Sequence, residues 1–255
     1  MRVLITGASS GIGRDMAKEL ANKNYDLILV ARNKEGLEDL KTNLKLKYPN
    51  INIEIYSYDL SIKENCFELY DKVKDIDILI NNAGFGLFGK FTNTELEKEI
   101  DMINTNITAV HVLTKLYLKD MDKKDRGQIL NVASIAGFMP GPLMATYYAS
   151  KNYVVALTRA INKELKKDKS NVKISLLCPG PVDTNFNNVA DVKFKIKGLT
   201  SEFVAKYAVN KMLKGKLIIV PGFSVRSARR FIEILPDRIT EIFAYNSQVR
   251  KESRK

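Results

Sequence analysis

Short, almost wholly apolar runs alternate along this chain with longer segments that place an apolar residue every three or four positions. Val3-Leu-Ile5, Asp26–Ala31 (DLILVA), Ile51–Tyr58, Ile76–Asn81 (IDILIN), Gly127–Ala133 (GQILNVA), Val172–Leu177 and Leu217–Val220 read as strands. Between them, 11–24, 34–47, about Lys63 to Val73, Glu95–Met121, Tyr147–Lys167 and Ser201–Leu213 read as helices, the first through Ile12, Met16, Leu20 and Ala21. Most of the strands are continuous apolar runs, which implies burial on both faces. Strict alternation of such strands with helices predicts an α/β fold: a doubly wound parallel sheet of about seven strands with helices on both faces.

The pattern changes after Pro221-Gly222, where arginines interleave with Phe231, Ile234, Leu235, Ile239, Ile242 and Phe243. We therefore expect one α/β unit over 1–223, and over 224–255 a basic amphipathic helical extension of the same domain. A length of 255 residues suits that single unit.

The net charge of +12 could suggest a nucleic-acid partner, but the excess is dispersed. The segment 224–255 holds eight Lys/Arg against four Asp/Glu, so most of the surplus lies elsewhere. No zinc-finger spacing or aromatic RNA-binding signature is present, and solvated lysine-rich helix faces account for the balance. No nucleic acid is expected. Cys66 and Cys178 match no metal spacing and read as free thiols of a reducing compartment. His111, the sole histidine, has no acidic partner at ligand spacing, so no metal is expected. No apolar run approaches the roughly 18–20 residues that cross a bilayer, and the N-terminus lacks a secretory pattern. The expected location is cytoplasmic.

Thr6-Gly-Ala-Ser-Ser-Gly-Ile-Gly13 lies between the first strand and the first helix. Gly7, Gly11 and Gly13 permit a tight turn and close approach of backbone to a pyrophosphate, and the helix N-terminus offers N–H groups to the anion. Ser9, Ser10 and Ile12 complete the candidate cradle. The spacing Gly-x-x-x-Gly-x-Gly resembles the short-chain dehydrogenase/reductase family, whose members carry TGxxxGIG. The resemblance spans essentially 1–222 and implies a Rossmann-type sheet, a nicotinamide cofactor and oxidoreductase chemistry.

The second strand ends Val30-Ala31-Arg32-Asn33. Where NAD users tend to carry a carboxylate for the ribose 2′-hydroxyl stands Ala31, followed by an arginine fork suited to a 2′-phosphate. A charge-assisted contact of about 1.5–3 kcal/mol corresponds to roughly 10- to 100-fold preference, so NADP(H) is expected. By resemblance, Asp59-Leu60 contacts the adenine, although Asp59 reads equally as a cap for the segment near Ser61. Asn81-Asn82-Ala83-Gly84 resembles the NNAG motif beside the adenine ribose. Cys178-Pro179-Gly180-Pro-Val182-Asp-Thr184 resembles the PGxVxT segment that contacts the nicotinamide.

Reduction of a carbonyl by hydride leaves charge on oxygen and requires a positioned proton donor. Tyr147-Tyr-Ala-Ser-Lys151 places a phenol and an ammonium four residues apart on one helix face. A nearby Lys⁺ favours phenolate and is expected to lower the phenol pKa from about 10; the same ammonium can hold the nicotinamide ribose. Tyr148 lacks a lysine at the fourth position. By resemblance, Ser134 orients the substrate, and Asn106 is chosen over Asn104 as the fourth catalytic member. Tyr147 and Lys151 thus serve both catalysis and cofactor binding.

The loops Phe85-Gly-Leu-Phe88-Gly and Gly137-Phe-Met-Pro-Gly-Pro-Leu-Met144 are apolar, and Phe186 follows on a segment that fold analogy reads as a mobile lid. They favour a hydrophobic ketone or alcohol: a 3-oxoacyl, steroid-like or aryl carbonyl compound. An acyl carrier protein is a candidate partner for the basic surface. The tail reads three ways: a cover over the cleft, an oligomer element or a peripheral membrane contact. A homo-oligomer, dimer or tetramer, is expected. The alternative to an active enzyme is a catalytically silent NADP-binding regulatory or scaffold protein of the same fold.

Overall fold

The computed structural model describes residues 1–184, 198–232 and 234–252, with the side chains of 237, 243 and 247–252 left aside. Seven strands form one parallel sheet: β1 Arg2–Thr6, β2 Asp26–Ala31, β3 Ile53–Ser57, β4 Ile78–Asn81, β5 Gln128–Val132, β6 Lys173–Leu177 and, last in chain order, β9 Ile218–Ile219. Their order is β3-β2-β1-β4-β5-β6-β9. A two-residue parallel pair that the hydropathy pattern did not announce, β7 Val182–Asp183 and β8 Leu199–Thr200, stands apart from it.

The continuous apolar strands have the expected cause. Val3, Ile5, Leu27, Leu29, Ile78 and Ile80 pack on one face of the sheet with Met16 and Leu20 of α1 (Gly11–Ala21), Leu37 and Leu40 of α2 (Lys34–Lys47), and Val204 and Met212 further on. Leu4, Ile28, Val30 and Leu79 point to the other face, against Leu69 of α3 (Lys63–Lys72), Leu113 and Tyr117, and Leu165. Fully burying each such aliphatic side chain contributes about 1.5–3 kcal/mol. Burial on both faces leaves few polar positions inside the central strands, and Asn131 and Ser175 are buried exceptions.

Helix boundaries depart from the periodic reading in two informative places. The first helix stops at Ala21, because Asn24 adopts φ 60° in the turn into β2. The segment Glu95–Met121 is not one α-helix: α4 (Leu96–Ile103) runs into a π-helical stretch, Asn104–Ala109, before α5 (Val110–Lys123) resumes. Apolar periodicity carries across such an interruption, so the pattern did not betray it. A long helix, α6 (Ala145–Lys167), precedes β6, and α7 (Ser201–Leu213) precedes β9.

The tail forms α8 (Phe223–Ile232) and α9 (Asp237–Glu252). Arg229 of α8 lies over the Phe138 ring at 4.9 Å, and Arg226 donates to the Tyr207 hydroxyl at 2.8 Å. In α9, Thr240 and Ala244 are buried, whereas Ile239, Ile242 and Tyr245 are exposed. Among the described residues no helix is long and apolar enough to cross a membrane.

Candidate active site

β1, β2, β4, β5 and β6 all end at one rim of the sheet, and between β1 and β4 the order in which successive strands are added reverses. In an open parallel sheet that reversal leaves a crevice outside the strand ends. Gly7 lies in it with φ 66°, a left-handed backbone that favours glycine. A Cβ on Gly13 would sit 2.4 Å from both the Gly7 carbonyl oxygen and Asn82 Nδ2, so helix and turn touch backbone to backbone. Asn82 secures this turn by donating from Nδ2 to the carbonyls of Thr6 (3.0 Å) and Gly7 (3.2 Å). The Thr6 hydroxyl accepts the N–H groups of Asn82 and Ala83 at 3.0 Å each. Thr6 was not singled out from the sequence; its place between an apolar strand and the first glycine was the available signal.

The N-termini of α2 and α7 are capped by the side chains of Asn33 and Thr200. At α1, Ser10 makes no side-chain cap bond and the first turn holds no acidic residue. The first N–H groups of that helix therefore remain available to an anion. Ser9, Ser10, Gly11 and Ile12 belong to this uncapped entry, and Thr184 reaches it from across the crevice: a Cβ on Gly11 would meet the Thr184 methyl at 3.3 Å. The donor set fits the pyrophosphate of a dinucleotide.

Arg32 follows β2 with a largely exposed side chain, its Nη1 3.7 Å from Asp59 Oδ2. Burial would raise the Asp59 pKa, but the Ser61 N–H (2.9 Å) and hydroxyl (2.8 Å), together with Arg32, outweigh it and hold the carboxyl below its usual range. Asp59 thus caps the turn at Ser61 and faces Arg32, while Leu60 is buried in the core.

The second half of the rim carries Ser134, Tyr147, Lys151 and Asn106. Tyr147 and Lys151 are almost wholly buried, on the face of α6 turned towards β5. Ser134 hydrogen-bonds the Tyr147 phenol. Its hydroxyl also accepts the Ala136 N–H at 3.2 Å and lies 3.5 Å from the Pro179 carbonyl. Lys151 Nζ donates to the Val132 carbonyl at 3.2 Å and stands 5.8 Å from the centre of the Tyr147 ring. Gly84 passes so closely that a Cβ there would sit 3.3 Å from Lys151 Nζ and 2.8 Å from Asn106 Oδ1. The NNAG glycine is required by this crossing.

Asn106 comes from the π-helical stretch and is fully buried. It accepts the Phe85 N–H (3.1 Å) and donates to the Phe85 carbonyl (2.9 Å) and the Ser150 hydroxyl (3.1 Å). Ser150 in turn donates to the Tyr147 carbonyl at 2.7 Å. The side chain of Asn104, the neighbour not chosen, accepts the Thr108 hydroxyl at 3.5 Å. Beneath the rim, Asn81 donates to Thr114 (3.0 Å) and Asn131 (2.9 Å), and Asn131 donates to Thr158 (3.0 Å). This buried polar chain ties β4 and β5 to α5 and α6; the asparagines inside otherwise apolar strands were its only trace in the sequence.

The electrostatics correct one expectation. Burial pushes the Tyr147 phenol up to about 12, against the downward pull of the Ser134 bond, and pushes Lys151 down to about 8. Desolvation dominates at both groups, and the lysine points its ammonium at a backbone carbonyl. The free protein therefore favours a neutral phenol.

Phe85, Leu87, Phe88, Met144 and Tyr148 pack around Tyr147 as an apolar cluster beside the site. Val182 is buried, and Gly180 lies against Val225 of α8, where a Cβ would meet a methyl at 2.7 Å. The tail thus reaches the far end of the candidate site. Phe186 lies outside the described residues. His111 is an exposed residue, its Nδ1 2.7 Å from the Tyr153 hydroxyl, remote in role from this cluster.

A seven-stranded parallel sheet with a glycine-lined crevice and a buried Ser–Tyr–Lys cluster at one rim defines a dinucleotide-dependent oxidoreductase fold. The family model described as short chain dehydrogenase matches residues 1–193, and the chain belongs to that family. It is 34% identical over 227 residues to an oxidoreductase of Staphylococcus epidermidis, covering 88% of this chain and 95% of the relative. With human 17-beta-hydroxysteroid dehydrogenase 13 it shares 30% identity over 245 residues, 94% of this chain and 81% of the relative. Among solved structures, a short-chain dehydrogenase from Sphingobium yanoikuyae in complex with NADPH superposes with a TM-score of 0.82 at 27% identity, covering 92% of this chain and 96% of the other.

Proposed function

We propose that the chain is an NADPH-dependent reductase of a hydrophobic ketone, forming a secondary alcohol. The observation that carries this reading is the buried cluster in which Ser134 hydrogen-bonds Tyr147 while Lys151, Asn106 and Gly84 converge beside it. Bound along the crevice, a reduced nicotinamide dinucleotide supplies hydride to the carbonyl carbon.

The protein's own part is to bind, orient and protonate. The uncapped start of α1 and the Gly7–Gly13 turn would hold the pyrophosphate, and Arg32 would pair with a ribose 2′-phosphate. Ser134 donates a hydrogen bond to the carbonyl oxygen and polarises it. Tyr147 gives that oxygen its phenolic proton as the C–H bond forms, so the product is a neutral alcohol. Lys151 then stabilises the phenolate left behind, and Asn106 keeps Ser150 and Phe85 in place around the pair. The cluster of Phe85, Leu87, Phe88 and Met144 supports a hydrophobic substrate, such as a steroid-like, 3-oxoacyl or aryl carbonyl compound.

The test is NADPH oxidation with a panel of such ketones for the wild type and Tyr147→Phe. Removing the proton donor is expected to cut kcat/KM by about 100-fold or more, with NADPH affinity changed by less than about threefold since the ring is kept. Equal turnover by the variant would reject the assigned acid. NADPH binding without turnover of any ketone would leave a silent binding protein and overturn the enzymatic reading.

A further inference from the structure

A buried carboxyl group that the chemistry above does not use lies one step from Tyr147. Glu99 of α4 is 8% exposed. It accepts the hydroxyl of Thr146, the residue before Tyr147, at 2.8 Å, and with its other oxygen the hydroxyl of Thr94. Among the described residues it forms no ion pair, so these two hydroxyls are what satisfy it. A carboxyl placed there must repay its desolvation through those bonds, and an aliphatic residue would fill the position at lower cost.

The two threonines belong to different walls. Thr94 closes the loop that starts at Phe85, and Thr146 opens α6 after the loop that ends at Met144. The same loops meet once more where the Gly89 N–H donates to the Leu143 carbonyl at 2.8 Å. Leu143 has φ 63°, a left-handed conformation that costs a leucine free energy and persists only when its surroundings impose it. A strained residue in one apolar loop is thus held by a bond from the other, and a two-pronged carboxyl ties both loops beside it.

We propose that Glu99 is a positioning residue. It clamps the 85–94 loop to the first turn of α6, fixing the aromatic wall relative to the Tyr147 phenol and setting which ketone geometries reach the proton. The substrate side of this proposal rests on the reductase reading, while the clamp itself does not.

The experiment is amide hydrogen exchange on the full chain without ketone, comparing wild type with Thr146→Val, Glu99→Leu, Glu99→Gln and the exposed control Thr92→Val. Loss of a prong is expected to raise exchange about tenfold in 85–94 and 141–148 together, from the worth of one buried hydrogen bond. Strands β1 to β3 and the control should stay at wild-type rates. Glutamine can accept from one threonine and donate to the other, so Glu99→Gln is expected to remain within about threefold of wild type. Faster exchange confined to one loop, a uniform rise across the sheet, or a glutamine variant as mobile as the leucine one would overturn the clamp.

Turnover of phenanthrenequinone with NADPH deuterated at the transferred position supplies the second readout. Thr146→Val should lower kcat more than it raises KM and enlarge the isotope effect, because a misaligned donor slows the bond-making step. An unchanged isotope effect alongside an unchanged kcat would remove the positioning role. Because the exchange measurement needs no turnover, an inactive wild type would sink the reductase reading and leave the clamp to its own result.

Discussion

Lys151→Met should make the cofactor-free protein more stable at neutral pH while removing a group assigned to its chemistry. Burial depresses the Lys151 pKa from 10.5 to about 8. At about 1.36 kcal/mol per unit, keeping the ammonium inside costs the folded state roughly 3 kcal/mol below pH 8. The sign follows from the protons bound: between pH 8 and 10.5 the unfolded chain holds more of them, so wild-type stability rises with pH through that window. Methionine removes the cost and also the 3.2 Å bond to the Val132 carbonyl, which subtracts about 1–1.5 kcal/mol. The net expectation at pH 7 is a gain of about 2 kcal/mol, or roughly 4–8 °C in Tm for a chain of this size. By pH 9.5 the neutral lysine is already favoured in the fold, and the advantage should shrink by about 2 kcal/mol. Urea unfolding of both proteins at the two pH values measures this directly. A variant no more stable than wild type at pH 7, or an advantage independent of pH, would refute the claim that the amine is held against its solvation.

Two further outcomes follow from the crevice. Gly13→Ala would drive a methyl to 2.4 Å from the Gly7 carbonyl and Asn82 Nδ2. It should cost about 1–3 kcal/mol and lower Tm by about 2–10 °C in thermal denaturation, since backbone on one side cannot yield cheaply. Arg32→Ala should weaken NADPH binding by about 5- to 20-fold and NADH binding by less than about threefold in fluorescence titration, a modest figure because the side chain is exposed and shared with Asp59. Equal losses for both dinucleotides would remove Arg32 from the phosphate.

The sheet was legible because its strands are buried on both faces and leave unbroken apolar runs, from Val3-Leu-Ile5 to Val172–Leu177. The candidate site was legible where side chains act at short, fixed spacing, as in the Gly7–Gly13 turn and the Tyr147–Lys151 pair. What escaped were features of three-dimensional approach. The Thr6 hydroxyl bridges to residues 76 and 77 positions away, and Glu99 meets Thr146 across 47. No local pattern records such pairings. The pKa directions escaped for a related reason: the charge of Lys151 could be read from its letter, whereas the depth of its burial depends on how α6 packs on β5.

The π-helical stretch at Asn104–Ala109 has a consequence for how this chain can vary. It accommodates one more residue per turn than the helices on either side, so removing any one residue there would restore ordinary winding. The surplus residue is absorbed inside that wide turn, so the helix downstream would keep its phase. Leu113, Tyr117 and Met121 would stay under the sheet, whereas Asn106, carried by the wide turn itself, would lose its aim at Phe85 and Ser150. The loss of a single codon in that stretch would thus spare the packing of α5 and strike the site alone, through the side chain that the wide turn presents.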